Sequence, residues 1–367
     1  MQTLQRWVRL KFLCKHSREF LASLFRLLTN PVYACVVLSS CCTLFSVAGI
    51  SAFSSKYLES MFHLPAHTAN YVMAVQTVST AFVGSFLGGY LSRRMKMTAM
   101  TGIQFNTATM AVALLAQMLG LIFQCDQPTV HNWPSENNSC NSWCGCRDNS
   151  YFPVCGGDGK TYYSPCHAGC LQEEQGVYQN CSCIPGGHAT GGTCDYGCSQ
   201  LYAYAVVMGI RLLTNTLAII PRMVICLRCV SEKDKAMALS VLPFLNSLLG
   251  WLLAPIVFGN VIDSTCRVWD IKCETKGRCL LYDNNLFRLN LNGYSALGLA
   301  LTVLLFVVTY IYARYTKCLD EEVKDGAGQE QAEMATMVNG KEAGNSTGAN
   351  EAGEDISDEQ NQSNSRT

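Results

Sequence analysis

Six long apolar segments are the feature that most limits how this chain of 367 residues can fold. Five of them contain no charged residue, and the fourth contains only Arg211 and Arg222. A helix needs about 20 apolar residues to cross a bilayer, where its backbone groups must satisfy one another. Buried helices of a soluble protein explain so many segments of this length poorly. The segments are Val32–Phe53, Ala69–Leu91, Ala99–Phe123, Leu201–Ile225, Met237–Ile262 and Gly293–Tyr312.

The predicted fold is therefore an all-α polytopic membrane protein with six transmembrane helices. Its basic residues form four clusters, which all fall on one side of a six-span topology. Cytoplasmic loops carry an excess of Lys and Arg, so we expect both termini in the cytoplasm and the protein in the plasma membrane. The clusters are the first 30 residues, with six basic residues against Glu19, then Arg93, Arg94 and Lys96, then Arg228, Lys233 and Lys235, and finally Arg314 and Lys317.

The cysteines give the same topology from an independent property. Of the 21 cysteines, most lie in segments that the charge argument places outside the cell. Disulfides persist outside cells and are rare in the cytosol. Two Asn-x-Ser/Thr sites, at Asn137 and Asn180, lie in the same outer segment and are predicted to carry glycans.

The chain divides into five predicted regions. Residues 1–30 form a cytoplasmic amphipathic linker, and residues 31–123 hold the first three transmembrane helices. Residues 124–200 form an extracellular cysteine-rich domain, and residues 201–315 hold the last three transmembrane helices. Residues 316–367 form an acidic cytoplasmic tail, which is predicted to be disordered because it contains too few large apolar residues to form a core.

The extracellular domain contains a specific cysteine pattern, in the stretch CRDNSYFPVCGGDGKTYYSPCHAGC from Cys146 to Cys170. The pattern resembles a Kazal domain, which disulfides hold together because its core is small. Ten cysteines allow five bridges, but the sequence does not give their pairing. Zinc binding by Cys144-x-Cys146 and Cys181-x-Cys183 is a competing interpretation, which an oxidising compartment disfavours. The ten are Cys140, Cys144, Cys146, Cys155, Cys166, Cys170, Cys181, Cys183, Cys194 and Cys198.

Several further stretches resemble one transporter family. They are FSSKYLESMF after the first span, GSFLGGYLSRRMKM at the end of the second, and Ala254-Pro255, IDSTC and LYD in or after the fifth. Together with the insert, they resemble the C-terminal half of an organic anion transporting polypeptide, a carrier of the major facilitator superfamily. That family has a Kazal-like insert between its ninth and tenth spans, and here the insert lies between the third and fourth of six.

The resemblance implies sodium-independent transport of amphipathic organic anions such as bile salts, steroid conjugates and hormones. It also implies a partner besides the lipid bilayer, because the family has twelve spans in two six-helix halves. The resemblance therefore implies a missing N-terminal six-helix half as a partner, and leaves open whether this chain is a partial gene model, a truncated isoform or a half-transporter. The family often has a basic residue in the middle of its eleventh span. In the corresponding fifth span of this chain, the polar residues Asn246 and Ser247 occupy that region.

The predicted substrate-binding residues are Arg211, Lys56, Tyr204 and Asn215. A charge in mid-membrane is costly unless it faces a wet cavity or a partner, which makes Arg211 the leading candidate. Tyr204 and Asn215 lie on the same helix face. Lys56 matches a family lysine near the extracellular mouth. The alternatives are a structural hydrogen-bonding role for Arg211 and a lysine reaching the interface for Lys56.

Other polar and small residues in the spans have simpler interpretations. Arg222 lies near the inner end of its span and is interpreted as an interfacial anchor. The polar stripes Gln76–Thr80 and Ser39–Ser46 are predicted to form hydrogen bonds between helices. Gly84 and Gly88 are predicted to allow close helix packing. Pro221, Pro243 and Pro255 are expected to kink the fourth and fifth spans.

The sequence contains no P-loop, ATP-binding cassette motif or nucleophile elbow, so neither an enzyme nor an ATP-driven pump is predicted. No cofactor, metal site or nucleic-acid partner is expected. Two other functions remain open at this point. One is a membrane-anchored protease-inhibitor or adhesion module, and the other is a non-transporting half that regulates full-length carriers.

Overall fold

A computed structural model describes residues 18–125, 130–131, 140, 151–194, 198–272 and 275–316 of the chain. It divides into a unit of residues Met1–Ile311 and a unit of residues Tyr312–Thr367. The described part of the second unit is residues 312–316, which continue a helix. The predicted linker is described only from residue 18, and the predicted acidic tail from residue 317 lies outside the described residues.

All six predicted spans are helical and apolar enough to cross a membrane. A preceding helix, α1, is described over residues 18–29. The fourth span consists of α5 and α6, and the fifth of α7, a π-helical segment at Asn246–Leu252 and α8. The helices are α2 Pro31–Phe62, α3 Ala66–Arg94, α4 Ala99–Gly120, α5 Gln200–Leu217, α6 Ile219–Arg228, α7 Lys235–Leu245, α8 Leu253–Asp263 and α9 Asn284–Thr316.

Several helices are longer than their apolar segments. Helix α2 has 32 residues and is about 48 Å long at 1.5 Å per residue. The hydrocarbon core of a bilayer is about 30 Å thick. The last turns of α2, which carry Lys56 and Glu59, therefore extend beyond the apolar segment that ends at Phe53.

Helix α2 has a well-defined start. The side chain of Asn30 accepts hydrogen bonds from the backbone amides of Val32 and Tyr33, and Pro31 occupies the first helical turn. A capping Asn and an early proline are both favourable there, because the first amides have no partner within the helix. The Asn30 side chain also donates to the carbonyl of Cys229, 2.8 Å away, and so joins the first span to the end of the fourth.

Two of the three predicted kinks coincide with interruptions of regular α-helix. The fourth span is divided at Ala218, three residues before Pro221. The fifth span becomes π-helical between Pro243 and Pro255. Proline removes a backbone donor, so the hydrogen-bond pattern has to change near it. Pro255 itself lies inside the regular helix α8.

The predicted close packing of Gly84 and Gly88 is confirmed. A Cβ atom at Gly84 would lie 1.9 Å from Thr216 Oγ1, and one at Gly88 would lie 2.6 Å from the carbonyl oxygen of Leu217. A Cβ atom at Gly89 would meet none of the described atoms within 4 Å. Only the absence of a side chain at the first two positions lets α3 approach the fourth span so closely.

The cysteine-rich insert, which marks the end of the bundle called outer below, folds around a small mixed sheet with the strand order β1-β3-β2-β6-β5-β4. Strands β1 and β3 are parallel, and the other pairs are antiparallel. Its small core contains Val154, Tyr162, Ala168, Ile184 and Ala189. The strands are β1 Val130–His131, β2 Val154–Gly156, β3 Thr161–Tyr162, β4 Gln172–Glu174, β5 Val177–Gln179 and β6 His188–Gly191.

Disulfides hold the insert together. The described bridges are Cys140–Cys183, Cys155–Cys194 and Cys170–Cys181, and Cys166 is also disulfide-bonded. Zinc binding by Cys181 and Cys183 is excluded, because both sulfurs are used in these bridges. Cys144, Cys146 and the predicted glycosylation site Asn137 lie outside the described residues.

Cys198 is not paired with another of the ten insert cysteines. It bonds to Cys125, just after α4, across 73 residues of sequence. The bridge therefore joins the outer ends of the third and fourth spans at the base of the insert. Nearby, the backbone amide of Gln124 donates to the side chain of Gln200 at 3.0 Å, which adds a second link between the same two ends.

A two-stranded hairpin follows the fifth span and was not predicted. Strands β7 (Cys266–Lys272) and β8 (Thr275–Tyr282) are antiparallel and are joined by the Cys266–Cys279 disulfide. Asp283 then caps α9 by accepting from the amides of Asn285 and Leu286. Burial alone would raise the pKa of Asp283, but these hydrogen bonds and the Arg267 guanidinium hold it below its usual value.

An aromatic cluster packs the outer ends of the spans together. Tyr57 of α2 lies 5.5 Å from Tyr204 of α5 and 5.6 Å from Phe287 of α9, between ring centroids. Tyr57 and Phe287 are fully buried. Aromatic pairs at these distances add to the stability that burial alone provides. The cluster fixes the outer end of α5, the helix that carries the leading candidate site residue.

Candidate functional site

A cavity of about 240 Å³ lies between the first, second, fourth and fifth spans. Three of the four predicted substrate-binding residues line it, namely Arg211, Tyr204 and Asn215. They project from one face of α5 because they are spaced by whole helical turns. The remaining wall is largely apolar and includes Ile50 of α2 and Trp251 of the π-helical segment.

Arg211 is 3% exposed, at the centre of this arrangement. Its Nη2 atom donates to Ser295 Oγ at 3.5 Å, and its Nε atom is buried without a hydrogen-bond partner in the part of the chain that the structure describes. Among the described residues, no carboxylate forms an ion pair with it. A buried guanidinium with so few partners is costly, so this position favours a ligand that brings negative charge.

Tyr204 forms the outer end of the cavity. Its ring is 6% exposed and lies 5.1 Å from the ring of Phe62 and 5.5 Å from that of Tyr57. These contacts hold the tyrosine in a rigid aromatic wall. The wall provides an apolar surface directly next to the cation, which is the combination that an amphipathic anion needs.

The predicted polar stripes do form hydrogen bonds between helices. Gln76 Nε2 donates to the carbonyl oxygen of Ala205 at 2.7 Å. The Thr80 hydroxyl donates within α3, and only the Thr80 backbone carbonyl accepts from another helix, from Thr216 Oγ1 at 3.0 Å. On the other side of the bundle, Ser46 Oγ donates to the carbonyl of Ser295 at 3.0 Å. Gln76 and Thr80 also line the cavity, so they fix the second span against the fourth beside Arg211.

The structure does not bring Lys56 to this cavity. Lys56 lines a separate outer vestibule of about 420 Å³, between the ends of the first two spans, the insert and the β7–β8 hairpin. Its ammonium group pairs with Glu59 at 3.1 Å, and its side chain is 40% exposed. The predicted set of four is therefore divided, with three residues at one cavity and Lys56 at the entrance.

The interpretation of Arg222 as an interfacial anchor is wrong. Arg222 is 6% exposed, and its Nη1 atom donates to Ser40 Oγ at 3.4 Å. Its guanidinium carbon lies 5.7 Å from the ring centroid of Phe306, within the range of a cation–π contact. Helices α2 and α9 cover this side chain, so it lies inside the bundle and not at the membrane surface.

Arg222 lines a second cavity, of about 170 Å³, towards the end of the bundle that carries Arg228. Asn215 lines both cavities, and Asn246 at the start of the π-helical segment lines the second. A sequence signal for this arrangement exists. Arg211, Asn215 and Arg222 are separated by four and seven residues, which places all three on one helix face.

Six membrane-spanning helices with a disulfide-rich domain between the third and fourth define this protein as half of a major facilitator fold, a multi-pass membrane protein. The family model described as the Organic Anion Transporter Polypeptide (OATP) family matches residues 2–287. The chain belongs to this family.

Curated relatives agree. Solute carrier organic anion transporter family member 4C1 of Rattus norvegicus is 33% identical over 297 residues, which cover 74% of this chain and 41% of that protein. Member 2B1 of the same species is 31% identical over 288 residues, covering 72% and 42%. Member 74D of Drosophila melanogaster is 30% identical over 327 residues, covering 84% and 40%. The chain thus spans about two fifths of the length of these relatives, and their names are those of transporters.

Proposed function

We propose that this chain forms a substrate-binding half of a secondary carrier for amphipathic organic anions such as bile salts, steroid conjugates and hormones. The observation that carries the proposal is the buried Arg211, which faces a largely apolar cavity without a carboxylate partner among the described residues. The relatives named as organic anion transporters support it.

The chemistry of the cavity fits such substrates. An anionic head group placed at Arg211 would satisfy the guanidinium, and Asn215 one turn away offers a further hydrogen-bond donor. The steroid or acyl body would contact the aromatic wall around Tyr204 and the apolar side chains of α2. In this proposal, neither the guanidinium nor the aromatic wall needs a cofactor in order to bind the substrate.

The size of the cavity supports a second six-helix half as partner. Binding sites for drug-sized ligands usually measure about 300–1,000 Å³, and the cavity measures about 240 Å³. A facing half would enlarge and close it. Carriers built from two halves move substrate by rocking one half against the other around a central site. In this proposal the Arg211 cavity is this chain's share of that site.

The membrane-anchored inhibitor or adhesion module is less well supported. A module of that kind needs one plain apolar helix, whereas this bundle buries two arginines in cavities between its spans. If the carrier showed no transport, the alternative of a non-transporting half that regulates full-length carriers would be favoured.

The proposal also places the protein in the plasma membrane with both termini in the cytoplasm and the insert outside. Asn180 is exposed on the insert, so we expect it to carry a glycan. Digestion with an N-glycosidase should increase electrophoretic mobility, and Asn180→Gln should remove part of that shift. Asn345→Gln is the matched control, because the same kind of site lies in the predicted cytoplasmic tail. A glycan at Asn345 would contradict this orientation.

The test of transport uses a full-length carrier that contains this chain, expressed at the cell surface. Uptake of a labelled sulfated steroid should be saturable and unchanged when sodium is replaced by choline. The unsulfated steroid should neither saturate nor compete, because it has no anion for Arg211. Equal saturable uptake of the two steroids would show that negative charge is not recognised.

A further inference from the structure

We propose that Arg222 is a second anion-binding position and that the anionic head group of the substrate passes from Arg211 to Arg222 on its way through the bundle. The inference rests on the proposed transport function and deepens it. It assigns a ligand class, a carboxylate or sulfate group, to the cavity that Arg222 lines, which is smaller than the Arg211 cavity.

The first argument is the state of the Arg222 side chain. It is more than nine-tenths buried, and its Nε atom has no hydrogen-bond partner among the described residues. Its polar contacts are long, a 3.4 Å bond to Ser40 Oγ and a 3.7 Å approach to the sulfur of Met110, and the ring of Phe306 lies 5.7 Å from the guanidinium carbon. Such partners compensate only part of the cost of burying a cation, so the site retains an affinity for an anion.

The second argument is the composition of the cavity. Among the described residues that line this cavity, Arg222 alone is charged. The polar groups beside it can donate hydrogen bonds to the oxygen atoms of a head group. The Ser40 hydroxyl and the amides of Asn215 and Asn246 offer donors there without adding charge, whereas the Thr43 hydroxyl donates to the carbonyl of Ser39 in its own helix. The other lining residues are Ser40, Thr43, Leu44, Asn215, Ile219, Met223, Leu242 and Asn246.

The third argument is continuity between the two cavities. Asn215 lines both, so its amide is placed to contact a head group at either arginine. Eleven residues separate Arg211 and Arg222, which corresponds to about 16 Å along a helix. This is about half the thickness of the hydrocarbon core. Two cations at this spacing divide one long, costly transfer into two shorter steps.

The competing explanation is that Arg222 only packs the bundle through Phe306 and Ser40. The two explanations differ in where the effect of a mutation appears. A binding position near the Arg228 end should change the apparent affinity for substrate added on that side. A packing residue should change protein stability and the amount of folded carrier without a side-specific effect.

The experiment uses the full-length carrier reconstituted in liposomes, with labelled sulfated steroid added on either side of the membrane. Arg222→Gln should raise the half-saturating concentration about tenfold on the side of Arg228, the expected loss for a hydrogen bond to a charged group. It should change the opposite side by less than about twofold. Arg228→Gln removes an exposed charge from the same helix and is the matched control.

A second variant keeps Arg222 in place, so a loss of folding caused by removing Arg222 cannot explain its effect. Asn246→Asp puts a carboxylate in the same cavity, where it should pair with the guanidinium and compete with the substrate. We expect the same side-specific loss of affinity, together with unchanged or higher thermal stability. If both variants keep the wild-type half-saturating concentration on both sides, the inference is overturned. The proposed function would stand in that case, because it fails only if the wild-type carrier shows no anion-selective uptake.

Discussion

Replacing Arg211 with alanine is expected to lower the uptake of a sulfated steroid about 10- to 100-fold while the carrier still reaches the cell surface. A hydrogen bond to a charged group contributes about 1.5–3 kcal/mol, which corresponds to that range. Folding should survive, because alanine also removes the cost of burying a weakly partnered guanidinium. Uptake rates normalised to surface-biotinylated carrier would measure the effect.

Two further variants define the cause of that loss. Arg211→Lys should retain part of the uptake, because it keeps the charge and loses the planar fork that binds an anion with two donors. Arg228→Ala removes an exposed arginine from the same span and should leave uptake unchanged. If Arg211→Ala reaches the surface and transports with unaltered apparent affinity and rate, then Arg211 is a structural residue.

The number and position of the spans were predictable because a membrane helix satisfies its own backbone. A long apolar segment therefore indicates a membrane helix even when no tertiary contact is known. The positions of Arg211, Tyr204 and Asn215 on one helix face follow from the same regularity. These parts of the structure depend on local sequence, and the cavity does bring the three residues together.

The error at Arg222 concerns a residue whose surroundings come from distant parts of the chain. The interpretation of Arg222 as an interfacial anchor rests on its place near the inner end of the span. The burial of Arg222 depends on Ser40 and Phe306, which lie on two other helices. The sequence places Lys56 near the mouth of the pathway, and α2 continues past its apolar segment and carries Lys56 into the outer vestibule, away from the Arg211 cavity. The spacing of Arg211, Asn215 and Arg222 shows that they share a helix face, but no local pattern shows which other helices cover Arg222.

Cysteine pairing was undetermined for the same reason. Spacing indicated a Kazal-like insert, but many pairings of ten cysteines satisfy it equally well. The bridge between Cys125 and Cys198 has one partner outside that set of ten. It belongs as much to the helical bundle as to the insert, since both residues contact the aromatic core around Tyr57 and Tyr204.

Changing Cys125 or Cys198 to serine is expected to cause the largest loss of folded carrier among single changes in the insert region. Closing a loop of 73 residues would by itself contribute about 4 kcal/mol in the chain-entropy model. The Cys140–Cys183 bridge shortens the effective loop, so the expected cost is closer to about 3.5 kcal/mol. That is a large part of the 5–15 kcal/mol that typically stabilises a folded domain.

The consequence for function follows from the position of this bridge. It holds the start of α5 against the end of α4, and α5 carries Tyr204 and Arg211. We therefore expect Cys125→Ser, Cys198→Ser and the double variant to reduce surface delivery to a similar extent, because each removes the same bond. Cys35→Ser, which changes a cysteine outside any disulfide, is the control. Surface biotinylation and the thermal stability of purified carrier would measure the loss. Wild-type surface levels and stability in the double variant would show that the aromatic core alone holds the two spans together.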